Sequence, residues 1–187
     1  MANVAEVIRE QAIALADFVR RGGGLFVFLG DKTNAQLSND RLRDREGELI
    51  LPAVLVDGAP DAPAEGWRLA PKMPDHALTR IFESMPEEQW ASISFNRYIK
   101  ATALKDASPL LSLAPGGEPL LLERTLGWGK VLLFTSSADR EWTDMSIHPA
   151  YLMLVQQAVM HLTRGSFERP VSVSEALTFR VSVEEDV

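Results

Sequence analysis

Two groups of acidic side chains could do chemistry, and each follows an apolar run that predicts a buried strand. Asp31 comes after the run at residues 25–29, while Asp139 and Glu141 follow the run "KVLLF". If the two strands are parallel, their carboxyl ends meet at one edge of a sheet, where ligands bind in many α/β folds. Neighbouring carboxylates there could form an acid–base pair or bind a divalent cation. Asp31, with Asp139 or Glu141, is therefore the candidate catalytic set.

The same residues also have a simpler interpretation. An Asp that follows a strand often caps the next turn by accepting hydrogen bonds from backbone amides. Solvated carboxylates near turns are common, and Trp142, in the segment "SSADREWTD", is expected to fill space in the core. Both interpretations of Asp31 remain open at this point.

The glycines around the first strand do not form a phosphate-binding loop. In "RRGGGLFVFLGDKTN", five residues separate Gly24 from Gly30, and Asp31 stands between Gly30 and Lys32. A Walker loop needs four residues between its glycines and a Lys directly after the second. A dinucleotide-binding turn is also excluded, because the three glycines precede the strand. We expect a turn from a helix into a strand, and no cofactor.

Other catalytic and metal-binding classes lack their residues. The chain has no cysteine, which excludes disulfides, thiolate metal sites and cysteine nucleophiles. His76, His148 and His161 are scattered, without the short spacings that place two ligands on one helix, so local spacing predicts no zinc or other metal site. His148, just before Pro149, is interpreted as a residue at a helix start.

Composition limits the function further. The 187 residues are 46% hydrophobic with a net charge of -7, which predicts one globular domain and disfavours nucleic acid as a partner. No apolar stretch approaches the roughly 20 residues that span a bilayer, so we expect no direct membrane insertion by these residues.

The elements that must position these residues are predicted as follows. An N-capping box at Asn3 and Glu6 begins a helix that ends at the three glycines. Residues 25–29 form a strand covered on both faces and not at a sheet edge. Residues 77–85 predict a helix and 96–103 a strand. Residues 118–137 form a hairpin around Gly127 and Gly129, and residues 149–165 form a core helix whose apolar face includes Leu152 and Val159.

Both ends indicate a piece of a longer polypeptide. A helix that starts at residue 3 lacks a preceding segment, and the alternating sequence "VSVSEALTFRVSVEED" is typical of exposed β-structure. We predict one domain at residues 1–166, followed at 167–187 by a tail or the start of a β domain.

Four blocks carry a family resemblance. They are "LADFVRRGGGLFVFLGD", "ELILPAVL", "PLLLERTLGWGKVLLFTSSADREWTD" and "HPAYLMLVQQAVMHL", in this order. Together they resemble the class I glutamine amidotransferase-like domains of bacterial membrane proteins that also carry a von Willebrand factor A domain, the aerotolerance or BatA type. The hairpin "GWGKVLLFTSS" also looks like that of trehalose-utilisation-type members of the superfamily.

The resemblance implies a three-layer, flavodoxin-like α/β fold with a mostly parallel central sheet, a C-terminal antiparallel hairpin and a missing N-terminal strand. The family's nucleophile elbow would fall at Gly30 and Asp31, where no cysteine is present, so glutaminase activity is excluded. The expected function is a non-catalytic interaction or ligand-binding module of a membrane-anchored bacterial protein. Its partners would be proteins of a cell-envelope complex, or a second copy paired through an exposed sheet edge. The alternative is a hydrolase, with or without assistance from a metal ion, that uses Asp31 with Asp139 or Glu141 on a carbohydrate-like substrate.

Overall fold

A five-stranded mixed sheet organises the chain within residues 1–56 and 62–167, the parts that the computed structural model describes. A separate two-stranded sheet lies beside it. The tail that the sequence predicts at residues 167–187 lies outside the described residues from position 168 onward. The elements in chain order are α1 (Arg9–Arg20), β1 (Gly24–Phe28), α2 (Ala35–Arg41), β2 (Ala53–Val56), β3 (Arg68–Leu69), α3 (Arg80–Glu83), α4 (Glu87–Ala91), β4 (Lys100–Ala103), β5 (Ala107–Ala114), β6 (Glu118–Leu126), β7 (Gly129–Phe134) and α5 (Pro149–Phe167).

The direction of the strands contradicts the predicted fold class. The sheet order is β1-β7-β6-β5-β3, and only the β1–β7 pair among these described strands is parallel. The second sheet pairs β2 with β4, also antiparallel. A mostly parallel, three-layer flavodoxin-like sheet is therefore wrong. The apolar runs misled because a strand covered on both faces has the same sequence pattern in a parallel and in an antiparallel sheet.

Alternation along β6 and β7 divides the core into two layers. Leu122, Leu133 and their neighbours on one face pack with α1 and with the β2–β4 sheet. Leu121, Leu132 and Phe134 face the other way and pack with α3, α4 and α5. Because successive side chains of a strand point to opposite faces, Arg124 belongs to the first layer and Glu123 to the second.

The hairpin and the last helix are confirmed. Leu126 pairs with Gly129, and Gly127 in the turn has a φ of 63°, a conformation that favours glycine. Helix α5 begins at Pro149, as predicted, but its buried face is narrower than expected. Leu152 and Val159 are exposed, whereas the core side chains are Ala150, Leu154, Ala158 and Leu162.

The N-terminal helix starts later than predicted. Helix α1 begins at Arg9, and its first turn is closed by the Gln11 side chain, which accepts a hydrogen bond from the Ile8 N–H. Asn3 does not cap a helix; instead, residues 1–3 run along the outer side of β1, and Ala2 forms a parallel bridge with Phe28. The capping-box pattern at Asn3 failed because this side chain has partners far away in sequence.

Strand β1 is covered on both faces but lies at the sheet edge, so the sequence interpretation was half right. The predicted helix at 77–85 shrinks to α3, and the predicted strand at 96–103 to β4. No helix among the described residues combines the length and the apolarity needed to cross a membrane.

Candidate functional site

Asp31 lies where the sequence placed it, after β1, but it already has a partner. The Asn3 side chain donates from Nδ2 to Asp31 Oδ1 at 2.5 Å, and Asn3 Oδ1 accepts from the Lys32 N–H at 2.9 Å. The hydrogen bond from Asn3, with a contribution from the charge of Lys32, holds the pKa of the exposed Asp31 below its usual value. The carboxylate thus fastens the N-terminal segment to the turn after β1.

Asp139 organises its own turn in a similar way. Its Oδ1 accepts a hydrogen bond from the Ser137 hydroxyl at 2.8 Å and another from the Glu141 N–H at 3.0 Å. Trp142 is buried, as expected for a side chain that fills the core. Neither Asp31, Asp139 nor Glu141 belongs to a cluster of three metal-ligating side chains in the part of the chain that the structure describes. Their role as an acid–base pair stays a prediction.

The structure assembles a different polar cluster, which we call the His–Glu–His cluster: His76, Glu123 and His161. Glu123 points from β6 into the α5 side of the sheet, His161 faces it from α5, and His76 approaches from the loop between β3 and α3. His161 Nε2 lies 2.5 Å from Glu123 Oε2, and His76 Nε2 lies 3.7 Å from the same oxygen. The two imidazole rings meet edge to face, with centroids 4.8 Å apart.

Lys130 of β7 adds a positive charge to this cluster. Its Nζ lies 3.0 Å from His161 Nε2 and 3.5 Å from Glu123 Oε1. Burial by itself would raise the pKa of Glu123, but the hydrogen bond with His161 and the charges of His161, Lys130 and His76 outweigh it and lower that pKa. Burial lowers the pKa of His76, despite the opposing charge of Glu123. At neutral pH the cluster therefore holds an ionised Glu123 carboxylate and a neutral His76 imidazole.

Local sequence spacing could not reveal this cluster. Its three members are separated by 47 and 38 positions along the chain. One signal was available: Glu123 interrupts the apolar run "PLLLERTL" at a position that shares a face with the buried Leu121. A carboxylate that faces a core needs a partner, and the two histidines and Lys130 are its partners.

A second candidate surface runs along the outer edge of β1. Phe28 of this strand donates its N–H to the Met1 carbonyl at 2.9 Å and accepts from the Asn3 N–H at 3.0 Å, while the Met1 amino group donates to the Phe26 carbonyl at 2.8 Å. In a strand, the backbone N–H and C=O groups of alternate residues point to the same edge. The Phe26 N–H and both backbone groups of Gly24 therefore point to this outer edge, as those of Phe28 do. Within residues 1–56 and 62–167, these three groups have no hydrogen-bond partner.

Beside this free edge is an open groove of about 750 Å³, here called the β1 groove. Apolar residues from α1, β1 and α5 line it, among them Phe18 and Val159, whose exposed fractions are 51% and 54%. At the base of the groove, β1 and α5 pack closely, because a Cβ atom on Gly24 would lie only 2.4 Å from Leu162 Cβ. Arg21 is the charged side chain among its described lining residues.

Comparison with known proteins establishes the fold and little more. No protein-family model matches the chain, and no curated protein does. Among solved structures, the chain is similar to the cytoplasmic proteins STM3548 from Salmonella typhimurium (TM-score 0.61, 21% identity, 81% of this chain) and STM1381 from Salmonella typhimurium LT2 (TM-score 0.52, 22% identity, 84% of this chain). It spans 60% of the length of each. It is also similar to the N-terminal domain of mmIFT52, with a TM-score of 0.55, 15% identity, and coverage of 84% of this chain and 72% of that one.

These findings overturn the family resemblance. The mixed sheet and the similar structures give no support to an amidotransferase-like domain, a flavodoxin-like fold, a von Willebrand factor A neighbour or an aerotolerance protein. The expectation of a membrane-anchored parent came from this family, so it has lost its support. The blocks that carried the resemblance, a glycine turn before a strand, a hairpin and a closing helix, are real elements, but their sequence does not fix how the strands between them are ordered.

Proposed function

We propose that this chain is a non-catalytic protein-interaction module, and that it binds an extended segment of a partner protein along the edge of β1. The observation that carries the proposal is the set of outward-facing backbone groups on Gly24 and Phe26 beside the β1 groove. A strand edge of this kind is a template for strand addition, in which backbone hydrogen bonds give affinity and side-chain pockets give specificity.

The N-terminal segment supports this mode of binding. Residues 1–3 already pair in parallel with the second half of β1, so this edge accepts an added strand in the fold itself. An incoming segment would continue along the first half of β1, where Gly24 leaves the backbone accessible. The pairing is short, so most of the affinity has to come from the groove.

The side chains of the groove support an apolar contact. Phe18 and Val159 are each about half exposed, and Leu152 continues the exposed apolar face of α5. A contiguous patch of large, exposed apolar side chains is typical of an interaction site, whereas single exposed apolar side chains are common on any surface. Phe18 also packs over the Gly22–Gly24 turn, since a Cβ atom on Gly23 would collide with its ring at 2.4 Å.

Charge favours a different protein over a second copy of this chain. The groove carries Arg21, and its described lining has no acidic side chain. A segment that alternates apolar and acidic residues complements this surface. A second copy would bring the same cationic groove to the contact, together with a net charge of -7 on each chain.

The expectation of a cell-envelope complex came from the family resemblance, so the proposal names no location for the partner. The rival proposal is the hydrolase that uses Asp31 with Asp139 or Glu141. We rank it second because Asp31 is bound to Asn3 and because Asp139 accepts two hydrogen bonds within its own turn.

The test uses the whole chain and designed peptides. The probe is the acetylated, amidated hexapeptide EVTVEV, with KVTVKV and a backbone N-methylated EVTVEV as controls, and binding is followed by amide chemical shifts in NMR. We expect the acidic peptide to shift the amides of Gly24 and Phe26, the basic peptide to bind more weakly, and the N-methylated peptide not to bind.

Variants make the test specific to the groove. The double variant Phe18→Ser, Val159→Ser should weaken binding of EVTVEV by more than about tenfold, because the buried apolar contact is lost. The matched control Val56→Ser, Ile147→Ser removes apolar side chains of similar exposure elsewhere and should bind normally. Peptide shifts that map away from β1, or that are equal for the two double variants, would overturn the proposal. So would a wild-type dimer that the groove variant dissociates while no peptide binds.

A further inference from the structure

We propose that the His–Glu–His cluster is a binding site for one divalent transition-metal ion, with Zn²⁺ as the expected ion. The proposal is independent of the β1 groove, because none of the three residues of the cluster lines that groove. It rests on three ligating side chains that the fold brings together from distant parts of the sequence.

The distances are those of a site that needs only small adjustments. One ligand atom from each of His76, Glu123 and His161 can be chosen so that all three lie within 4.8 Å of one another. Ligand atoms around a tetrahedral ion, at about 2.1 Å from it, lie roughly 3.4 Å apart. The pairs in the cluster, from 2.5 Å for His161 and Glu123 to 4.8 Å at most, bracket that value. Side-chain movements of about 1 Å would therefore complete the site.

The donor set selects the class of ion. Two imidazoles and one carboxylate suit Zn²⁺ and other late first-row ions, whereas Ca²⁺ and Mg²⁺ take oxygen ligands. Three protein ligands leave a fourth position for water or another ligand. The ligands are largely buried between the sheet and α5, so the protein has already desolvated them.

One hydrogen bond must change when a metal binds. His76 Nδ1 accepts the Leu78 N–H at 3.2 Å, and a metal on His76 Nε2 would place the ring proton on Nδ1, so this contact opposes binding.

Lys130 is the neighbouring residue whose replacement tests whether the cluster binds a metal ion. Its ammonium lies within 3.5 Å of both Glu123 and His161, where it supplies the positive charge that a metal ion would bring. Its side chain is partly exposed and can turn toward solvent. Lys130 therefore competes with the metal, and removal of its charge should tighten binding. A site in which the cluster serves only to neutralise Glu123 would not show this behaviour.

The experiment titrates the chelator-treated chain with Co²⁺, read by its visible absorption, and with Zn²⁺, read by calorimetry and by the shift in Tm. We expect one ion per chain and a rise in Tm on addition of Zn²⁺. His76→Ala, His161→Ala and Glu123→Gln should each weaken binding by more than about tenfold, while Lys130→Met should strengthen it by about tenfold. His148→Ala is the matched control, because His148 pairs with Asp144 at 3.8 Å and belongs to no cluster of three ligands among the described residues.

The outcomes separate clearly. Absence of binding by both the wild-type chain and the Lys130→Met variant would overturn the proposal. Binding that survives in both histidine variants, or that His148→Ala reduces equally, would also overturn it. If an alanine variant unfolds, His161→Gln and Glu123→Gln, which keep the side-chain size, carry the test. A failure here leaves the peptide shifts at Gly24 and Phe26 unaffected, so the two proposals fail separately.

Discussion

Arg124 offers the sharpest test of how β6 is held to the segments that pack on its first face. This arginine lies on β6 with only 4% of its side chain exposed, on the face that packs against α1 and the β2–β4 sheet. Its Nε donates to Asp106 Oδ2 at 2.8 Å, and its two terminal nitrogens donate to the Leu49 carbonyl and to Glu48 Oε1. The variant Arg124→Met keeps an unbranched chain of similar length and removes the charge and all three hydrogen bonds.

The expected loss follows from what each partner does afterwards. The buried Leu49 residue keeps a carbonyl without this partner, which costs about 1–3 kcal/mol. The carboxylates of Asp106 and Glu48 are about half exposed and regain water, and Glu48 keeps Arg20 at 2.8 Å. Each of these two ion pairs therefore adds only about 0–1 kcal/mol. The three contributions together predict a decrease in the free energy of unfolding of about 1–5 kcal/mol.

The assay is urea unfolding of the whole chain, followed by tryptophan fluorescence. Arg80→Met is the matched control, since Arg80 Nε donates to Asp75 Oδ1 at the same 2.8 Å but its side chain is 63% exposed. That variant should unfold at the wild-type urea concentration. Equal losses in both variants, or an Arg124→Met chain as stable as wild type, would refute the argument that burial decides the value of these ion pairs.

Three further predictions address pH, the hairpin and the acidic candidates. Burial alone would raise the pKa of Asp44, but hydrogen bonds from Arg20 and from two backbone amides lower it. Stability from Asp44 is thus present above an unfolded-state pKa of about 4 and is lost below it, and the wild-type advantage over Asp44→Asn in urea should shrink as pH falls through that range. Gly127→Ala should lower Tm more than Gly117→Ala, because both have positive φ but only at Gly127 does the new Cβ meet backbone, at 2.6 Å from the Arg20 carbonyl oxygen. Asp31→Ala should leave any Zn²⁺-dependent rise in Tm unchanged, because Asp31 is not a member of the His–Glu–His cluster.

Each of these predictions has a contrary result. If the wild-type chain is more stable in urea than Asp44→Asn by the same margin at pH 3 as at neutral pH, the charge on Asp44 contributes nothing to stability. Equal Tm losses for the two glycine variants would show that φ alone matters at the hairpin turn. Loss of metal-dependent stabilisation in Asp31→Ala would return attention to the carboxylates after β1 and β7, and with them to the hydrolase.

The sequence alone determined those elements whose signals are local. The turn at Gly127 and the runs on either side of it predict the β6–β7 hairpin, because positive φ and apolar runs are properties of neighbouring residues. Pro149 and the helical apolar period predict α5 in the same way. The absence of cysteine excludes thiolate chemistry, whatever the fold.

Only the tertiary structure decided the features that depend on distant partners. Apolar runs covered on both faces are compatible with either strand direction, so the mixed sheet could not be read from them. Asn3 fits a capping box, yet it bonds to Asp31, since an exposed helix cap yields to a partner that folding brings within 2.5 Å. His76, Glu123 and His161 meet because α5 and the loop before α3 pack on the same face of β6, and no spacing in the chain encodes that meeting. Periodicity records which side of an element is buried, whereas a site of this kind depends on which other element buries it.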